Sequence, residues 1–106
     1  MNLESIERRA GDALTYLAET DESAAQLKYE ALVAQAKYEA SRDAHFMAAE
    51  GNNEERKAAS RIATQELYMT FLEKQLAHDK VKNKRDHECV VVEWLRSLNA
   101  NRRQGT

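Results

Sequence analysis

Gly51-Asn52-Asn53-Glu54-Glu55-Arg56-Lys57-Ala58 decides how this chain folds, because this stretch near the middle of the sequence interrupts an otherwise helical pattern. Glycine reaches the left-handed backbone region without a steric penalty and so can end a helix, and Asn52 followed three residues later by Glu55 has the spacing of a capping box. One helix is predicted to end near residue 50 and another to begin at about Asn53. With a turn at 51–53, residues 1–50 can run antiparallel to residues 54–101 for almost their full length.

On either side of the turn little else bends the chain. The 106 residues contain no proline and three glycines, Gly11, Gly51 and Gly105, a composition that describes long helices within a single domain. Before the turn, apolar or small residues recur at coiled-coil spacing: Leu3, Ile6, Ala10, Ala13, Leu17, Ala24, Leu27, Ala31, Ala34, Tyr38 and Ala48, with Thr20, Ser41 and His45 as polar members. Thr20-Asp21-Glu22-Ser23 carries N-cap residues, so the first arm is either one helix or two helices broken near residue 20.

After the turn, Ile62, Met69, Leu72 and Leu76 fall on one helical face. Between Ala77 and Glu88 the apolar pattern almost vanishes, leaving the basic run Lys80, Val81, Lys82, Asn83, Lys84 and Arg85. The valines of Cys89-Val90-Val91-Val92 have strand propensity, but the sets Val90/Trp94/Leu98 and Val91/Leu95 fit helical spacing better. A second helix over 54–101, about 70 Å at 1.5 Å per residue, is therefore expected before a flexible basic end at 102–106.

The expected fold class is all-α: a long, coiled-coil-like antiparallel helical hairpin that self-associates. Alanines in the seam allow close approach but bury little apolar area, each Å² contributing roughly 25 cal/mol. Two helices alone make a small core. The predicted interface between copies is the face of Ile62, Tyr68, Met69, Phe71, Leu72, Val90, Val91, Trp94, Leu95 and Leu98, while Tyr16, Tyr29, Tyr38 and Tyr68 are assigned to packing.

The net charge of −2 conceals a gradient. Residues 1–55 hold five Lys/Arg against twelve Asp/Glu, residues 56–79 four against three, and residues 80–106 seven against three. A basic end on an acidic body suits a nucleic-acid or anionic-surface partner, because counterion release rewards local positive charge. Lys82, Lys84, Arg85, Arg96, Arg102 and Arg103 are the candidate phosphate ligands. Asn99 and Asn101 are candidates for bonds to backbone or base edges, and Trp94 is either an interface residue or a base-stacking platform.

No nucleophile with a base, metal cluster or phosphate-cradling glycine loop is assembled, so the chain is not expected to be an enzyme or to use a cofactor. His87 and Cys89 lie two apart and point to different helix faces, which argues against shared metal ligation. Cys89 reads as a small apolar residue in a reducing compartment. No apolar run spans a membrane and the first residues lack signal-peptide character, so a cytoplasmic location is expected.

Ala49-Glu50, then Glu54-Glu55-Arg56-Lys57-Ala58, and finally Glu93-Trp94-Leu95-Arg96-Ser97-Leu98-Asn99-Ala100-Asn101-Arg102-Arg103-Gln104-Gly105 resemble small helical bacteriophage proteins of the UvsY-type recombination-mediator kind. The resemblance covers about the second half of the chain. It implies a protein acting in the bacterial host cell that binds single-stranded DNA, forms a homo-oligomer and helps a RecA-like recombinase displace single-strand-binding protein. The alternative is a coiled-coil adaptor or assembly protein whose basic end, with Arg96, Arg102 and Arg103, pairs with carboxylates of another protein. A basic interfacial helix at a membrane is disfavoured because the Lys80–Arg85 run has no opposing apolar face.

Overall fold

A computed structural model describes residues 2–104, with the side chains of Arg103 and Gln104 outside the described set. The chain forms α1 (Leu3–Ala48), α2 (Asn53–Ala63) and α3 (Gln65–Gln104), with no strand among the described residues. The fold is an all-α helical hairpin. Residues divide into two compact units: Met1–Ala24 with Lys80–Thr106, and Ala25–Asp79.

The second unit contains the turn. Gly51 has φ +107°, a backbone conformation that side chains other than glycine's rarely tolerate. Asn52 caps α2, its Oδ1 accepting the Glu55 N–H at 2.9 Å, and Glu54 and Glu55 complement the positive end of the helix. Arg56 satisfies the other side of the turn. Its guanidinium lies 4.5 Å from the centre of the Phe46 ring, and its Nε donates to the Phe46 carbonyl at 3.0 Å. The last turn of α1 thus finds a donor for a carbonyl that its own backbone leaves unpaired.

In this unit α1 contributes Leu27, Ala31, Ala34, Tyr38 and Ser41 at half-buried or buried positions. They meet Ser60, Thr64, Leu67 and Phe71, which continue the same three-and-four spacing on α2 and α3. Tyr38 anchors an aromatic group, with Tyr68 at 5.1 Å and Phe71 stacked at 6.2 Å between ring centres. Lys74 pairs with Glu30 at 3.8 Å.

The uninterrupted second helix expected from sequence is broken at Thr64, which separates α2 from α3 with φ −109° and ψ 11°. Ser60 and Thr64 occupy seam positions and are buried, so their hydroxyls need partners inside the protein. Ser60 Oγ donates to the Arg42 carbonyl of α1 at 2.6 Å, and Thr64 Oγ1 donates to the Ser60 carbonyl at 2.8 Å, alongside Thr64's own backbone N–H. Both buried hydroxyls are thereby satisfied without water.

The first unit pairs the N-terminal part of α1 with the C-terminal part of α3. Ile6, Ala13, Val92 and Leu95 are buried. No break occurs near residue 20: Thr20 Oγ1 donates to the Tyr16 carbonyl at 2.7 Å and Ser23 Oγ to the Thr20 carbonyl at 3.1 Å. Both hydroxyls back-bond within α1 instead of capping a new helix. At the other end, α3 continues to Gln104, beyond the expected stop near 101.

Six apolar residues are buried among those described, and three of them are alanines. Some residues assigned to packing or to the seam lie outside it: Tyr29 is 63% exposed, and Leu3, Ala48 and the polar member His45 are exposed.

The two glycines of the described residues predict opposite stability effects. A Cβ at Gly11 would meet nothing within 4 Å, so Gly11→Ala should stabilise the chain by about 0.5–1 kcal/mol through helix propensity. A Cβ at Gly51 would lie 2.5 Å from Glu55 Oε2 in a positive-φ backbone, so Gly51→Ala should destabilise it by more than about 1 kcal/mol. Urea titration followed by circular dichroism checks both, and a Gly51→Ala chain as stable as the parent would contradict this account of the turn.

Candidate nucleic-acid interface

Between Lys80 and Arg102 the seam of α3 is made by Val81, Arg85, Glu88, Val92, Leu95 and Asn99, all buried or half-buried. Three- and four-residue steps keep these side chains on one stripe. Two of the residues that face α1 here are therefore charged, and each has a dedicated partner.

Arg85 is held inside the unit. Its Nη1 donates to the Leu17 carbonyl at 2.7 Å and to Thr20 Oγ1 at 2.6 Å, and Nη2 reaches Asp21 Oδ1 at 3.2 Å. The segment of α1 that looked breakable in sequence is where this guanidinium ties the two helices together. Arg85 was expected to be a phosphate ligand; because its donors already serve α1, it is removed from that set.

Glu88 faces Arg9. Arg9 Nη2 donates to Glu88 Oε1 at 3.1 Å, and Nη1 lies 2.8 Å from Oε2, a two-point ion pair in which the carboxylate is largely buried. The Arg9 hydrogen bond holds the Glu88 carboxyl below its ordinary value of 4.5, against the opposing effect of burial. The same contact raises the Arg9 guanidinium above its ordinary value. Neither residue was singled out from the sequence, where Arg9 and Glu88 are 79 positions apart.

The remaining predicted ligands are divided by helical register. Lys80, His87, Trp94 and Asn101 recur every seven residues, about 10.5 Å apart along the helix, and all four are exposed. Trp94 is 57% exposed, which shows that it does not pack into the core of its own chain. Lys84 lies beside this line and its Nζ sits 4.4 Å from the centre of the Tyr16 ring. Lys82, Cys89 and Arg96 form a second exposed line on the other flank. There Lys82 pairs with Asp86 at 2.9 Å, while Arg96 makes no ion pair among the described residues. The cluster seen in sequence is thus two groups on two flanks of α3.

Asn99 is placed in the seam, where it is half-buried with Oδ1 shielded, so this amide is turned away from an external strand. Asn101 and Arg102 are exposed. The side chain of Arg103 lies outside the described residues. Lys80, a member of the candidate basic run with Lys82, Lys84 and Arg85 that was not carried into the final set of ligands, shares an exposed line with Trp94.

The predicted self-association face also divides. Leu95 is 1% exposed and Val91, Phe71 and Leu98 are half-buried, because they pack within the chain. Ile62, Tyr68, Met69, Leu72, Val90 and Trp94 remain exposed. No helix among the described residues is long and apolar enough to cross a membrane.

The Arg9–Glu88 pair predicts acid sensitivity with a definite sign. A carboxyl lowered in the folded state contributes stability that is complete above the ordinary pKa of 4.5 and is lost as pH falls through the folded value, because the unfolded chain takes up the proton first. Thermal melts between pH 7 and pH 3 should therefore show a steeper loss below about pH 4.5 in the parent than in Glu88→Gln; parallel curves would contradict the pairing. Compared with protein-family models, curated proteins and solved structures, the chain finds no match.

Proposed function

We propose that this chain is a non-catalytic, self-associating protein of the recombination-mediator kind, which binds single-stranded DNA in a bacterial host cytoplasm and assists a RecA-like recombinase against single-strand-binding protein. The observation that carries strand binding is the exposed line of Lys80, Trp94 and Asn101 on α3. A cation, an indole and an amide at helical intervals provide a phosphate contact, a stacking surface and a hydrogen-bonding group without demanding a base sequence. Lys82, Arg96 and Arg102 add positive charge to the same helix, and Lys84 extends the Trp94 flank.

Self-association is favoured by Ile62, Met69, Leu72 and Leu76. These exposed side chains recur at intervals of seven, three and four residues, with Ile62 75% and Leu76 71% exposed. An apolar stripe at coiled-coil spacing, beside a core of this size, suits a second copy of the chain. Multiple copies would multiply weak phosphate contacts through effective concentration. The same stripe favours the second reading, an adaptor or assembly protein in which Arg96 and Arg102 pair with carboxylates of a partner.

Anisotropy of a labelled oligonucleotide titrated across a salt series separates the two readings. Strand binding should weaken steeply with salt, quench Trp94 fluorescence and exceed duplex binding. Lys80→Glu should lower the salt slope by about 0.7, the share of one phosphate on a single strand. No strand binding at low salt by an intact assembly would leave the adaptor.

Sedimentation equilibrium tests assembly. The parent should show a multiple of 12.1 kDa, and Met69→Glu with Leu72→Glu should shift it toward the single-chain mass while retaining helicity. A parent that stays at the single-chain mass throughout the micromolar range would remove self-association.

A further inference from the structure

The turn brings a second basic group together, in the unit that does not contain Trp94. Arg42 lies near the end of α1, and Lys57 and Arg61 lie four apart on α2, so one helix surface presents both toward the same depression. With Tyr38 and Phe46 they line a cavity of about 420 Å³. Its charges are three cations and one carboxylate, Asp43, which lies 3.4 Å from its neighbour Arg42.

The walls are fastened before any ligand arrives. Ser60 Oγ ties α2 to the Arg42 carbonyl at 2.6 Å, and Arg56 ties α2 to the Phe46 carbonyl while covering the Phe46 ring. The Arg42 guanidinium lies 5.4 Å from the centre of the Tyr38 ring, which holds a cation beside an aromatic wall. Lys57 is bound only to the exposed Glu54, at 3.7 Å, and Arg61 makes no ion pair among the described residues. Lys57, Arg61, one oriented guanidinium and two rings therefore surround a preformed opening.

The geometry points to a nucleotide-binding pocket, in which Arg42, Lys57 and Arg61 hold a phosphate and Tyr38 and Phe46 receive the base. Planar guanidinium donors match phosphate oxygens, and aromatic side chains accept any base by its π-face. The rings also pack within the chain, Tyr38 against Tyr68 and Phe71 and Phe46 against Arg56, so the base would meet the ring surface that still lines the cavity; a purely structural role would leave Arg61 idle and would not need three cations around one carboxylate. The pocket's occupant is one nucleotide unit. That the unit belongs to a DNA strand and is not a free nucleotide rests on the strand-binding reading above.

Ligand-observed saturation-transfer NMR with dAMP and the full chain tests the pocket apart from that reading. Transfer to the adenine protons is expected, displaced by excess inorganic pyrophosphate and weakened about tenfold by Lys57→Glu with Arg61→Glu. Arg61→Gln, a milder change at an exposed position, should weaken it in the same direction, with far-UV circular dichroism confirming helicity. No transfer to the parent, or transfer unchanged by these substitutions, would overturn the pocket. Oligonucleotide anisotropy then identifies the source of the nucleotide. A salt slope lowered by about 1.4 in the double variant places a strand here; dAMP binding without any strand binding keeps the pocket and removes the strand reading. Strand binding with an unchanged slope and no dAMP transfer does the reverse.

Discussion

A seam in which three of the six buried apolar residues are alanines can bring two helices close without saying which residue stands opposite which. One heptad along, another small residue offers nearly the same fit, so apolar packing alone discriminates weakly between registers. In this chain the distinction falls to charged side chains that occur once: Arg9 against Glu88, and Arg85 against Leu17, Thr20 and Asp21. Removing a partner from such a contact would leave a shielded polar group unsatisfied, a larger cost than the contact's net gain. Ser60 has the corresponding role in the unit that contains the turn, through its bond to the Arg42 carbonyl.

Using polar residues inward has a consequence for what remains outside. On α2 and α3 the seam positions include Ser60, Thr64, Arg85, Glu88 and Asn99, whereas Ile62, Met69, Leu72, Leu76, Val90 and Trp94 are exposed. In each unit the second arm therefore has reversed chemistry: partly polar residues against α1 and apolar residues toward solvent. The cost of hydrating those apolar residues is relieved when another surface covers them. This is the physical connection between the internal register and the proposed assembly.

Positive charge is likewise distributed by the fold and not by proximity in the sequence. Lys82, Lys84 and Arg85 are near neighbours along the chain, yet Lys82 pairs with Asp86, Lys84 lies against Tyr16 and Arg85 is enclosed by α1. Conversely, Arg42 and Arg61 belong to different helices and line one cavity. Cations become available to an external phosphate when the surrounding helix leaves them without a fixed partner, which depends on contacts across the hairpin.

The sequence alone determined the helical class, the turn and the first-arm seam, because each follows from local backbone chemistry or from a period carried by a single helix. Gly51 supplies the positive φ, Asn52 supplies the cap, and Ile6 through Ser41 repeat every three or four residues whatever lies opposite. Tertiary structure decided which face of the second arm turns inward. The period of Ile62, Met69, Leu72 and Leu76 puts them on one face, but only the inward partners of the Ser60 and Thr64 hydroxyls, the carbonyls of Arg42 and Ser60, show which face lies against α1. It also decided the fate of individual cations, since whether Arg85 or Arg61 is committed depends on groups brought to it from the other arm of the hairpin. Side-chain charge and helical period are local properties; burial and hydrogen-bond partnership are created only when distant segments meet.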